Sequence, residues 1–114
     1  MTDPNRPDVD VLVRLAAAIA ARRNAEASAS YTASLIAAGT DACAKKVGEE
    51  AIEVALAAVA QPNRLAAEAA DLLYHLLVLL EERQVPLSEV LAVLASREGR
   101  GGHEEKAARR KERG

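Results

Sequence analysis

Four carboxylates come in two pairs of equal spacing: Glu50 and Glu53, then Glu68 and Asp71, with fourteen residues between the pairs. Residues three apart are neighbours on a helix surface, so each pair reads as two oxygen donors on one helical face. If the two faces meet, four carboxylates share one volume, where they repel unless a cation joins them. Hard oxygen ligands suit Mg²⁺ or Mn²⁺, and Mg²⁺ is held by a few carboxylates together with waters and substrate phosphates. For one such pair the ordinary alternative is a solvated helix face. Two pairs, each embedded among apolar residues, point instead to a metal site.

The neighbouring residues narrow the chemistry. Lys45 and Lys46 stand one turn before Glu49 and Glu50. They read either as ion pairs at i,i+4 spacing or as point charges for phosphate oxygens at the metal. The segment "KKVGEE" is not a glycine-rich phosphate loop. No Cys/His spacing suits zinc, and the Glu-x-x-His pair of a transition-metal carboxylate site is missing. Cys43 reads as packing rather than as a nucleophile. His75, four residues after Asp71, reads either as a group that supports the ligands from behind or as a satisfied core histidine.

The elements that must position these residues are helices. With Glu68 at zero on a helical wheel, Asp71 falls at roughly 300° and His75 at roughly 340°. Seven leucines and valines between Leu72 and Leu80 cover most of the remaining circumference. A helix apolar nearly all round is buried on several sides, which implies neighbours within the fold and from a second subunit. The spacing predicts helices from Asp10 through Arg22 and Arg23, over "YTASLIAA" with Ser30 as N-cap and Gly39 as stop, and from Thr40 or Asp41 to about Gln61. Two more are expected, from about Asn63 to Gln84 and from near Pro86 to near Arg97. No stretch reads as a strand. The expectation is an all-α fold: five helices forming a four-helix-bundle-like core over residues 10–98, completed by dimerisation. Residues 1–9 are expected to be a disordered lead and residues 99–114 a charged disordered tail.

Composition supports that frame. The chain has 114 residues, half of them hydrophobic, with two tyrosines and neither Trp nor Phe. Alanine dominates, and it forms helices well but adds little area to a core. A chain of this size built that way needs a second copy. A net charge of −2 provides no basic field for nucleic acid. "LLYHLLVLL" is far shorter than the roughly 20 apolar residues a bilayer requires. One cysteine and an N-terminal "MTDPNRPDVD" without a signal-peptide core make the cytoplasm the expected location.

The wider wording carries a resemblance. "SYTASLIAAGTDACAKKVGEEAIEVALAA" followed by "EAADLLYHLLVLLEERQVPLSEVLAVLASR" resembles the phosphoribosyl-ATP pyrophosphatase family, within the MazG-like superfamily of all-α nucleotide pyrophosphohydrolases. The resemblance covers about residues 10–98. It implies Mg²⁺-dependent hydrolysis of phosphoribosyl-ATP to phosphoribosyl-AMP and pyrophosphate, the second step of histidine biosynthesis. It also implies that Glu50, Glu53, Glu68 and Asp71 hold the metal, that Glu49 orients or deprotonates water, and that Lys46 and Lys45 meet phosphates. Ser30, Tyr31 and Thr32 of "SYT", with Arg22 and Arg23, become candidates for further substrate contact. Two other readings stand beside it: a pyrophosphohydrolase of the same fold acting on other nucleoside triphosphates, and a non-enzymatic helical dimerisation module.

Overall fold

A computed structural model describes residues 7–99 and 109–112. The elements are α1 (Asp10–Ala21), α2 (Tyr31–Ala38), α3 (Thr40–Ala60), a 3₁₀ turn (Pro62–Arg64), α4 (Leu65–Glu82) and α5 (Leu87–Arg97). No strand occurs among the described residues, and no helix is long and apolar enough to cross a membrane. Residues 1–6 of the expected lead, and residues 100–108 and 113–114 of the expected tail, lie outside the described residues. Within the tail, residues 109–112 form a helical turn, and Arg97 Nη2 lies 2.5 Å from Glu112 Oε2.

Local chemistry explains where the helices begin and end. Ser30 is extended, and its Oγ accepts from the Ala33 N–H at 3.2 Å, one of the amides that the first turn of α2 leaves without a helical acceptor. Ser30→Ala is expected to cost about 1 kcal/mol, measured as a lower urea midpoint at constant slope. An unchanged midpoint would show that this bond adds nothing. Gly39 has φ +97°, a region that residues with a Cβ avoid, and it ends α2 while opening α3.

Three expected boundaries shift for identifiable reasons. Helix α1 stops at Ala21, with Arg22 as its C-cap. Thr40 does not cap α3, because its hydroxyl donates instead to the Glu82 carboxylate, at 2.5 and 2.9 Å, across the hairpin. Helix α4 starts at Leu65 because Pro62, which has no N–H, opens a 3₁₀ turn first. It ends where Gln84 takes φ +58° and the Val85 N–H reaches back to the Leu80 carbonyl at 2.8 Å, the wrap that commonly closes a helix.

Helices α3 and α4 form an antiparallel hairpin. Thr40 at the start of α3 meets Glu82 at the end of α4, while Glu53 and Glu68 near the turn line one cavity. Helix α1 packs on α4, and the Arg23 guanidinium fastens its end by donating from Nε to Glu81 Oε2 at 2.7 Å and from Nη2 to the Glu81 carbonyl. The core is thin: Ile19, Cys43, Leu77 and Val78 form its centre, with Val78 1% exposed. Leu12, Leu15, Leu35, Ile36 and Tyr74 surround it. Helix α4 is covered on only part of its circumference within the single chain. Leu73 and Leu76 are exposed in the single chain, as are Ile52, Leu56 and Val59 on α3.

Candidate functional site

The antiparallel pairing sets the acidic faces of α3 and α4 against each other. One carboxylate oxygen from each of Glu50, Glu68 and Asp71 lies within 4.8 Å of the others. These residues, with Lys46, Glu49, Ile52 and Glu53, line an open cavity of about 590 Å³. Five carboxylates and one ammonium therefore face the same space. Two carboxylates 4.8 Å apart repel by about 3.5 kcal/mol at an effective dielectric near 20. Glu68 is only 8% exposed, so water screens it poorly.

Two cations within the chain offset part of this charge. Lys46 Nζ lies 3.7 Å from both Glu49 Oε1 and Glu50 Oε1. Arg64 Nη2 donates to Glu68 Oε1 at 2.8 Å. Neither cation neutralises Asp71. All-oxygen donors, converging from facing helices with net negative charge remaining, fit a hard divalent cation. The residues present form a carboxylate group that could hold a metal ion.

Of the four carboxylates expected at the metal, Glu50, Glu68 and Asp71 form the close group. Glu53 lines the same cavity outside that group. Glu49 and Lys46 are on its wall, whereas Lys45 is exposed and does not line it. Arg22 is exposed and Arg23 is engaged with Glu81, away from the carboxylates. Ser30 is buried as the α2 cap, and Thr32 Oγ1 lies 2.5 Å from the Tyr74 hydroxyl. Tyr31 is the accessible member of "SYT", 57% exposed.

His75 joins these tyrosines rather than the carboxylates. Its Nδ1 lies 2.9 Å from the Asp71 main-chain carbonyl, which can only accept, so Nδ1 carries the proton. In the neutral ring Nε2 is then the acceptor for the Tyr31 hydroxyl at 3.3 Å. Both ring nitrogens are partnered, and the ring lies edge-on to Tyr74. Cys43 is buried, its thiol donating to the Leu35 carbonyl at 3.1 Å. Burial, and then the Glu82 charge, push its pKa above the ordinary thiol value, which disfavours a nucleophilic thiolate.

Arg64 is the residue that sequence reasoning passed over. Its signal was available: it precedes Glu68 by four, the same ion-pair spacing as Lys46 and Glu50. The 3₁₀ turn hides it, because a helix starting near Asn63 leaves Arg64 looking like an ordinary first-turn surface residue.

The sequence model of the family described as phosphoribosyl-ATP pyrophosphohydrolase matches residues 12–98. A Cereibacter sphaeroides protein named phosphoribosyl-ATP pyrophosphatase is 55% identical over 100 residues, covering 87% of this chain and 97% of the relative. Proteins of the same name are similar in Dinoroseobacter shibae, at 53% identity over 89% of this chain and 100% of the relative, and in Azorhizobium caulinodans, at 54% over 82% and 86%. The match spans both carboxylate pairs and every helix that positions them, and the chain belongs to the phosphoribosyl-ATP pyrophosphohydrolase family.

Proposed function

We propose that this chain hydrolyses phosphoribosyl-ATP to phosphoribosyl-AMP and pyrophosphate, as a Mg²⁺-dependent homodimer in the cytoplasm. The observation that carries the metal-dependent chemistry is the convergence of Glu50, Glu68 and Asp71 within 4.8 Å in a chain of this family. Those three residues, with Glu53 beside them, would hold the cation, and Mn²⁺ satisfies the same donors. When bound, the cation supplies charge neutralisation of the phosphate oxygens and acidifies water.

The chain's own groups do the rest. Water attacking a polyphosphate needs alignment and charge compensation rather than a covalent nucleophile. Glu49 faces the cavity with its side chain half exposed, placed to accept a proton from the attacking water. Lys46, held between Glu49 and Glu50, carries the point charge for phosphate oxygens. Tyr31, exposed at the start of α2, is the proposed contact for a more distant part of the substrate.

An apolar stripe left open beside the site supports the dimer. Ile52, Leu56 and Val59 lie within about 60° of one another on the α3 wheel, and all three are exposed. With Leu73 and Leu76 they make a surface suited to a second copy, one that would complete the partly covered α4.

A pyrophosphate-release assay on phosphoribosyl-ATP and a panel of ordinary and noncanonical nucleoside triphosphates tests this function. Turnover of phosphoribosyl-ATP is expected to exceed the others by at least about a hundredfold in kcat/KM, a margin within reach of polar recognition. It should vanish with a chelator and return with Mg²⁺. Equal turnover of the triphosphates would favour the broader pyrophosphohydrolase reading. No turnover of any nucleotide, and no rise in melting temperature with Mg²⁺ and nucleotide, would leave the non-enzymatic module.

A further inference from the structure

Two cavities share Glu53 and Glu68 as walls. One is the carboxylate cavity; the other, about 210 Å³, extends from those residues to Gln61 and Arg64, where the chain turns from α3 into α4. Lys46 stands at one end of the carboxylate row and Arg64 at the other. The Arg64–Glu68 pair is asymmetric. The Glu68 side chain is 10% exposed and that of Arg64 59%. The acid is fixed by its surroundings, and the base is free to move.

Glu68 also belongs to the three-carboxylate group. A guanidinium and a divalent cation at the same carboxylate compete for its charge and its lone pairs. Arg64 reaches Glu68 from one turn earlier on a long flexible stem, so its head can leave without any backbone movement. Its planar fork matches phosphate oxygens as well as it matches a carboxylate. The two cavities meet at the shared residues Glu53 and Glu68, so the head has only to pass Glu68 to go from one to the other.

We infer that Arg64 changes partners: it neutralises Glu68 while the carboxylate group lacks a cation, and turns to a phosphate oxygen of the substrate once Glu68 faces the metal. The inference rests on the metal-dependent reaction proposed above. It gives the chain a way to keep a poorly hydrated acid paired before loading. The same guanidinium then serves as a phosphate-binding group after loading.

Direct titration separates this role from a structural one. Arg64→Gln, an exposed position where folding should be unaffected by circular dichroism, is expected to bind Mn²⁺ about three- to fivefold more tightly than the unaltered chain, since a competing ion pair is gone. At saturating Mn²⁺, the same variant should bind inorganic pyrophosphate about tenfold more weakly, the loss of one charge-assisted contact. A residue that only supports Glu68 would give the opposite sign for the metal, with Mn²⁺ binding weakened. Equal or weaker Mn²⁺ binding, or unchanged pyrophosphate binding, would overturn the exchange while leaving the metal site standing. Mn²⁺ binding to neither protein would overturn both.

Discussion

Glu50→Gln is expected to lower kcat/KM for phosphoribosyl-ATP by about three orders of magnitude, with helical content and assembly unchanged. The side chain is nearly isosteric, so the volume between α3 and α4 is kept. In the described structure Glu50 has only a long ion pair to Lys46, at 3.7 Å, to lose. Pairs of this kind on a helix contribute a few tenths of a kcal/mol, so stability should barely move. What disappears is one of three converging negative charges. A site that compensates charge at the reacting phosphate through a cation loses both metal affinity and transition-state stabilisation, and single contributions of this kind are worth about 10²–10³ in rate. Steady-state kinetics across a Mg²⁺ series, with far-UV circular dichroism as the control, measure it. Activity within tenfold of the unaltered chain at ordinary Mg²⁺ would remove Glu50 from the ligand set.

Val59→Asp should convert the protein to a monomer at micromolar concentration. Val59 is 88% exposed in the single chain, so the fold itself gains nothing from it. In a dimer built on the α3 stripe the same side chain is buried, and an aspartate there would carry an unpaired charge out of water at a cost of several kcal/mol per copy. Two copies double the effect. Sedimentation or light scattering would show the loss of the dimer, with the monomer still helical. A variant that remained dimeric would mean that the second copy seats elsewhere, for example on the exposed Leu91 and Leu94 of α5.

Periodicity alone shows an all-helical chain, because apolar residues recur at helical spacing and cap residues such as Ser30 and Gly39 punctuate them. It also shows two i,i+3 carboxylate pairs, since that spacing is a property of one helix and needs no neighbour. The wording around those pairs was distinctive enough to indicate the family. Buried polar groups inside an apolar run signalled a site before any partner was visible.

What one helix faces on another is not contained in its own period. It depends on how side chains of both helices interlock and on where the connection between them turns. Only the folded hairpin decides that Glu50, and not Glu53, joins Glu68 and Asp71 in the close group. Only there does Thr40 leave its own helix end to bind Glu82, and His75 turn toward Tyr31 rather than toward the acids. Arg64 is the exception: its pair with Glu68 has the local i,i+4 spacing, although it sits in the Pro62 turn and not in α4. The spacing of the carboxylates is local and therefore legible in the sequence; their meeting is a long-range packing outcome, and it is the meeting that forms a group able to hold a metal ion.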